Sequence, residues 1–374
     1  MPPKKLPTIW NAPPHTIAKI EILRAYLVAW FQILGRSRPG QELLYVDGFA
    51  GPGEYSNYPT GSPLAALGAA REALQLTGSY WVAGKIHCAF IEADKQRCDH
   101  LRQKIQSIED DGRIEPHRYC NEFTDGLREV AKDVPLPFAA KHPLFVFIDP
   151  FGATGVPFSI VRKLLASPCS EVLINLDADG IGRIFHAGER AGHEENLNLI
   201  FDGDEWKDLL TTEDAAPVLH RKVLQLYKDK LKSIPKVKYT FASEMRKSEY
   251  ALDYFLVFAS QYYLGLEKMK EAMSKIDQTG GYCFSDARVH QTLLFQFNEP
   301  EQHSLDLYNQ FRGRRATYEE LRDFALNESP FANPKSMLRD LELKRDLIEE
   351  VRSTDPRRRR GTFNEQKLIH VKFK

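Results

Sequence analysis

Cysteine is scarce and scattered in this 374-residue chain: Cys88, Cys98, Cys120, Cys169 and Cys283 form an odd set with no CxxC spacing. Such a set argues against a disulfide framework or a structural zinc site, so free thiols are expected and no protein metal cluster. Long apolar runs are also missing. The longest, such as Tyr254 to Ala259, fall far short of the ~18 residues that cross a bilayer, which excludes a membrane-spanning helix. The opening MPPKKLPTIW has lysines without an apolar segment behind them, so a secretory signal is not expected and a cytoplasmic protein is. Net charge is absent too, because 51 Lys plus Arg balance 51 Asp plus Glu. Taken as a sum, that zero argues against a basic nucleic-acid binder.

The sum hides its parts. From Lys335 to Lys374 there are 12 Lys/Arg and 7 Asp/Glu, or 12 − 7 = +5, so the remainder carries 39 − 44 = −5. Charge asymmetry between segments points to an interaction surface at the tail. What is present in quantity is core: 43% of residues are hydrophobic and 11% aromatic, which excludes disorder as the main state. At ~100–200 residues per domain the length suits one large domain with a smaller one.

Thr16 to Leu34 carries apolar residues at helical spacing, from Ile20 to Leu34, and predicts an amphipathic helix covering one edge of the fold. Short, almost continuously apolar runs then alternate with helical patterns. Leu43 to Val46, His87 to Ile91, Ile114 to Cys120, Leu144 to Ile148 and Glu171 to Leu176 read as five strands of a parallel sheet buried on both faces. Tyr239 to Met245 and Ala251 to Ser260 flank Arg246 to Glu249 and read as an antiparallel hairpin closing the sheet. The expected fold class is α/β with a Rossmann-like, mostly parallel sheet. A final hairpin is typical of class I methyltransferases.

Asp47-Gly48-Phe49-Ala50-Gly51-Pro52-Gly53 ends the first strand. It is not the GxGxxG dinucleotide fingerprint. It resembles the D-x-F-x-G-x-G turn of many S-adenosylmethionine-dependent methyltransferases, where small residues admit a nucleoside and the acid reaches the methionyl ammonium through water or a neighbour. The alternative is a ligand-free turn. Glu92, at the end of the second strand, is placed to accept ribose hydroxyls; by itself it could equally cap a helix beside Asp94. The 45 residues between Asp47 and Glu92 exceed the ~20 usual for such a pair, so an excursion over Glu54 to Pro63 is expected. Asn121 follows the third strand, where it could meet an adenine amino group or serve a turn.

Asp149-Pro150-Phe151-Gly152 follows the fourth strand. Amino-group methyltransferases place D/N-P-P-Y/F there, because an exocyclic amine must keep its lone pair aimed at the methyl donor. Asp149 would accept one amine hydrogen, the Pro150 carbonyl the other, and Phe151 would stack on the base. One proline of that tetrad is missing, and the wording is nearer that of tRNA guanine-N2 dimethyltransferases. A plain strand-ending turn is the other reading. Asn175, Asp177 and Asp179 could line the same mouth or face solvent.

In the tail, Tyr318 to Leu326 and Pro334 to Lys344 read as helices, and Leu347 to Val351 and Leu368 to Phe373 as strands around Arg357-Arg358-Arg359-Arg360-Gly361. This is the layout of a winged helix, with the arginines on the wing. Lys335, Arg339, Lys344 and Arg345 on the second helix, with Arg357 to Arg360, are the candidate phosphate contacts; a solvated or protein-docking face is the alternative. The expected domains are a helical extension over residues 1–40, an α/β domain over 41–308 and a winged-helix domain over 309–374.

Over nearly its whole length the chain resembles the three-Cys-motif partner family (TcmP), on His15-Thr16, Glu21 to Leu27 with Trp30, Asp47 to Gly53, Gly61-Ser62-Pro63, Phe147 to Gly152, Leu173 to Asn175, Gly265 to Met273 and Arg357 to Phe363. The resemblance implies a methyltransferase-like fold and a partner protein bearing a three-cysteine motif, of the iron–sulfur radical-enzyme kind. The expected function is S-adenosyl-L-methionine-dependent methylation of a nucleic acid, DNA or RNA, at a base amino group. The alternative is a non-catalytic adaptor that brings the partner to nucleic acid.

Overall fold

The computed structural model describes residues 7–106, 112–150, 155–186, 193–211, 215–249, 251–277, 280–289 and 300–374. The chain divides into two compact units, Met1–Ile276 with Cys283–Gln291 and Asp277–Tyr282 with Thr292–Lys374.

The first unit opens with α1 (Pro14–Ser37), whose proline at the first helical position has its φ preset for a helix and no N–H to waste there. Then come β1 (Leu43–Asp47), α2 (Ser62–Thr77), β2 (Ile86–Ile91), α3 (Lys95–Gln106), β3 (Ile114–Tyr119), α4 (Phe123–Asp133), α5 (Leu136–Ala139), β4 (Leu144–Ile148), α6 (Phe158–Ala166), β5 (Ser170–Leu176), α7 (Ala178–His186), α8 (Glu194–Phe201), α9 (Ala216–Lys232), β6 (Tyr239–Arg246), β7 (Leu252–Ser260), α10 (Tyr263–Ser274) and β8 (Cys283–Ser285). The eight strands form one sheet in the order β3-β2-β1-β4-β5-β7-β6-β8. β1 to β5 run parallel, and β7 lies antiparallel between β5 and β6. Every residue of β1, β2 and β4 is buried, which is why these strands read as unbroken apolar runs. The fold is α/β with a mostly parallel central sheet closed by the expected hairpin. The short β8, paired parallel to β6, was not legible as a strand.

α1 is bolted to the sheet by a buried carboxylate. Glu171 accepts hydrogen bonds from the Tyr26 hydroxyl at 2.6 Å, the Trp30 indole at 2.8 Å and the Ser260 hydroxyl at 2.6 Å. Burial pushes its pKa up while these three donors pull it down. A buried acid is tolerated because its lone pairs are met. Residues 1–40 therefore do not form a separate extension: α1 packs on α2 and α10 and belongs to this unit.

Two other expectations need correction. Cys98 on α3 and Cys120 just after β3 are joined in a disulfide, 22 residues apart in sequence, whereas Cys88, Cys169 and Cys283 are free. A helix packed back on the strand after it brings the two together, and no local spacing announces this. The long gap between Asp47 and Glu92 is only partly the loop over 54–61; the 16-residue α2 fills most of the remainder.

The second unit comprises α11 (Pro300–Phe311), β9 (Arg315–Ala316), α12 (Tyr318–Glu328), α13 (Lys335–Leu343), β10 (Ile348–Ser353) and β11 (Leu368–Phe373). Its three strands pair antiparallel in the order β10-β11-β9. Thr317 and Glu320 close a capping box at the start of α12, satisfying two orphan donors. The expected boundary at residue 309 cuts through α11. Leu307 and Phe311 sit in this unit's core with Leu321, Leu338 and Phe373, so the boundary precedes that helix. Among the described residues no helix is long and apolar enough to cross a membrane.

Candidate functional site

A cavity of about 280 Å³ opens at the carboxyl ends of β1 and β2, lined by Gly48, Phe49, Glu92, Asp94, Arg97, Asn121 and Phe123 among others. It borders the place where strand order reverses between β1 and β4, the usual crevice for ligands in open α/β sheets. The turn residues Gly48 and Phe49 thus meet Glu92 and Asn121 on one wall. Phe49 and Phe123 stack with centroids 5.3 Å apart and an interplanar angle of 22°, giving an aromatic surface against which a planar ligand can lie. Gly48 is required by this wall. A Cβ there would sit 2.6 Å from the Phe123 ring and 3.3 Å from the Phe147 carbonyl oxygen.

Glu92 holds the turn as well as the cavity. Its Oε2 accepts the Gly51 N–H at 2.8 Å and its Oε1 the Asp94 N–H at 2.7 Å. Gly51 reaches this position with φ +62, a conformation that costs a residue with a side chain. Burial raises the Glu92 pKa and the two backbone donors oppose that rise. Each oxygen keeps one lone pair for a ligand hydroxyl.

Asp47 lies behind the wall, fully buried. It accepts from Phe49 N–H at 3.3 Å and from the Tyr45 hydroxyl at 3.4 Å, and it is bonded by Ser62 at the start of α2. Burial pushes its carboxyl up to about 7, against these donors. Ala50 is tied by its N–H to the Ile91 carbonyl at 2.9 Å, and the Gly53 carbonyl accepts the Gly61 N–H at 2.6 Å. These residues fix the turn and do not line the cavity. Nearby, Trp10 meets Tyr55 edge-on at 5.4 Å, and the Arg97 guanidinium lies 4.7 Å over the Trp10 ring. The loop over 54–61 clasps the chain's opening segment: Ala12 and Asn57 exchange two hydrogen bonds, at 2.7 and 2.9 Å.

A second cluster gathers beyond β4 and β5. The Lys19 ammonium donates to both oxygens of Asp149, at 2.7 and 2.6 Å, and the Asn175 amide donates to Asp149 Oδ1 at 2.7 Å. Lys19 also lies 4.9 Å over the Tyr254 ring. Burial, with Asp149 and Asp47 adding to it, pushes the Tyr55 phenol up. Three of the four lone-pair sites of Asp149 are thus already engaged, which leaves one for the single amine hydrogen it was expected to accept. The Asn175 amide oxygen is buried and unpaired, although its nitrogen is bonded. That leaves Asn175, whose role was open, as an unspent acceptor beside Asp149 and Pro150, which lines the same small cleft. Phe151 lies outside the described residues. Asp177 spends one oxygen on the Gly180 N–H at 2.7 Å at the start of α7, and Asp179 pairs with Arg183 at 3.5 Å. Lys19 carried no sequence signal, since a lysine on a helix facing the core reads as an interruption.

In the second unit the arginine run divides. Arg358 pairs with Glu342 at 2.6 Å and lies 4.9 Å over Phe363, and Arg360 donates to the Glu342 carbonyl at 2.7 Å. These two bind the loop to the end of α13. Arg357 and Arg359 are exposed, as is most of the Arg360 side chain. Lys335 and Arg339, on α13, line an open cleft of about 820 Å³ beside Gly361 to Gln366. Lys344 and Arg345 are both directed to Asp340, at 3.9 and 2.7 Å. Of the expected phosphate contacts, Arg339 (to the Gly361 carbonyl at 3.2 Å), Lys344, Arg345, Arg358 and Arg360 thus already face protein acceptors, which compete with phosphate for them.

No family model and no curated protein matches this sequence. Similar solved structures include cofactor-bound Rv0187 from MTB, at 13% identity and TM-score 0.34 over 68% of this chain and 83% of that one. Another is an O-methyltransferase from Bacillus cereus in complex with SAH, at 13% identity and TM-score 0.33 over 63% of this chain and 79% of that one.

Proposed function

We propose that the first unit is a methyltransferase that takes S-adenosyl-L-methionine in the cavity at the ends of β1 and β2. The observation that carries this reading is the joining of Gly48, Phe49, Glu92, Asn121 and Phe123 on one 280 Å³ cavity beside the strand-order switch. The residues fit the group. The Phe49–Phe123 face suits the adenine ring, Asn121 its amino group, and the remaining lone pairs of Glu92 the ribose hydroxyls. Asp47, buried and raised, suits a role through its neighbours toward the cationic end of the ligand, whose charge would favour the carboxylate form. When bound, the cofactor supplies an electrophilic methyl group. The chain's part is to hold the acceptor in line.

The acceptor we favour is an exocyclic amine of a nucleic-acid base. Asn175 Oδ1 and the Pro150 carbonyl would accept its two hydrogens and keep its lone pair directed, with Asp149 and Lys19 fixing the Asn175 amide. A base stacked in a duplex is out of reach, so the substrate is single-stranded or flipped out. The second unit, with helix, strand, two helices and a hairpin in order, is read as a winged helix that binds phosphates through Lys335, Arg339, Arg357 and Arg359. A three-Cys-motif partner is expected from the family resemblance and is testable by co-purification from the native host. Calorimetry with S-adenosylmethionine decides the first step: micromolar binding by the wild type and its loss in Glu92→Ala are expected. No binding by the wild type overturns the enzyme reading.

One observation favours the non-catalytic adaptor instead. The Lys19 clamp and the Asn175 amide take three of the four lone-pair sites that an amine-orienting Asp149 would keep open. Cofactor binding without any methyl transfer to cellular RNA or single-stranded DNA would support it.

A further inference from the structure

At the other end of the sheet, His87, Glu115 and His117 face one another in a group that the reaction does not use. His87 pairs in register with Glu115, and the neighbouring Ala89 with His117, so all three side chains project from the same face. His87 Nδ1 lies 3.0 Å from His117 Nε2 and 3.3 Å from Glu115 Oε2. The other His87 nitrogen, Nε2, is buried without a hydrogen-bond partner, and its nearest acid is Glu42 Oε2 at 3.5 Å. Lys85 occupies Glu115 Oε1 and leaves Oε2 turned toward the histidines.

Acceptors crowd His87 from both sides. His87 is only 6% exposed, and burial opposes a charged ring. A neutral imidazole carries a single N–H. If that proton is on Nδ1, the bare Nε2 lone pair faces the Glu42 carboxylate; if it is on Nε2, the bare Nδ1 lone pair faces the Glu115 carboxylate. Either tautomer of His87 leaves a lone pair beside a carboxylate; a His117 Nε2–H can fill the Nδ1 lone pair at 3.0 Å, but Glu115 Oε2 still faces that nitrogen at 3.3 Å. A cation held between Nδ1, His117 Nε2 and Glu115 Oε2 removes the conflict and lets Nε2–H turn to Glu42. That is the arrangement in which a ligating histidine gives its second nitrogen to a carboxylate.

We propose that His87, His117 and Glu115 bind a zinc-class divalent cation, with Glu42 orienting His87. Zinc bonds of about 2.0–2.1 Å place the donors of a tetrahedron about 3.4 Å apart, close to the two separations that meet at His87 Nδ1, and all three ligand atoms lie within 4.8 Å of one another. Two imidazoles and one carboxylate suit zinc or cobalt and leave a fourth position for water. The site is distinct from the cofactor cavity. His87 and Glu92 stand at opposite ends of β2, roughly 16 Å apart at the usual strand rise. The cation would tie the edge strand β3 to β2.

The test uses the full chain stripped with chelator and titrated with Co²⁺, followed by Zn²⁺ competition. One equivalent with the visible absorption of tetrahedral cobalt, displaced by zinc, is expected. His117→Gln and Glu115→Gln, at half-buried positions that tolerate change, should each weaken binding at least tenfold, while S-adenosylmethionine binding measured on the same samples stays unchanged. No cobalt uptake by the wild type would overturn the proposal, as would equal uptake by His117→Gln, which would place the metal on other ligands.

Discussion

The Lys19 ammonium stands 2.6 Å from Asp149 Oδ2, joining the first helix to the end of the fourth strand beside the acceptor cleft. Lys19 is nearly buried and Asp149 about one-fifth exposed, so neither is well solvated without the other. Lys19→Met should destabilise the fold by about 2–3 kcal/mol, below the range for a fully buried pair because Asp149 keeps some water. The double variant Lys19→Met/Asp149→Asn should recover most of that loss. Urea denaturation of the four proteins of the cycle measures the coupling.

Asn175→Ala removes an unspent buried acceptor from the cleft. Methyl transfer should fall by 10- to 100-fold in kcat, while the cofactor dissociation constant changes less than twofold. Asn175→Asp keeps an acceptor but sets a second carboxylate beside Asp149, and it should rescue activity poorly. Steady-state kinetics alongside calorimetry separates the two effects.

Asp47 should give stability a pH dependence. Its pKa rises from an ordinary 3.8 to about 7 on folding, so between those values the folded state binds more protons than the unfolded one. Stability therefore falls as pH rises through that window, by up to roughly 4 kcal/mol. Asp47→Asn should flatten that part of the profile, read from denaturation midpoints at pH 5 and pH 8. A cationic ligand that prefers the ionised form should bind more tightly above pH 7 in the wild type, and this gain should vanish in the variant.

Gly48→Ala should push the Phe123 ring off Phe49, because the new methyl would stand 2.6 Å from that ring. Cofactor affinity should drop at least tenfold with a stability loss of about 1–3 kcal/mol. Adding Phe123→Ala relieves the clash without restoring the aromatic wall, so stability should recover in part and affinity should not.

The four arginines should separate into two pairs. Arg357→Ala with Arg359→Ala should weaken nucleic-acid binding and reduce its log–log salt slope by about 2, one unit per lost phosphate contact. Arg358→Ala should act on folding instead. It leaves Glu342, only 6% exposed, without its guanidinium partner, a loss of about 1–3 kcal/mol. Filter binding at several salt concentrations and thermal melts distinguish the pairs.

What the sequence made legible was whatever repeats locally. The buried strands were plain because parallel strands covered on both faces leave continuous apolar runs, and the hairpin of β6 and β7 because a short polar turn separates two such runs. The Asp47 to Gly53 turn was visible from its glycines, and Glu92 from its place after a strand. Lys19, Asn175 and the His87 group were not, because their meaning comes from partners on distant elements. The same holds for Cys98 and Cys120, whose pairing depends on how α3 folds back on β3. The arginine run was visible as charge, but which arginines are engaged by the protein depends on Glu342, and Glu342 looked like any helix acid.

The ties of α1 also bear on the order of assembly. His15 bonds to Asp286, Lys19 to Asp149, and Tyr26 to Glu171, across sequence separations of 271, 130 and 145 residues. Contacts of this span close late, since the loop entropy is lost before they form. During synthesis the first helix must wait for most of the α/β unit to leave the ribosome before its polar groups find their partners. A nascent chain stopped before Glu171 therefore holds the glycine turn and Glu92 but lacks the anchor of its first helix, so the finished acceptor cleft marks a completed unit.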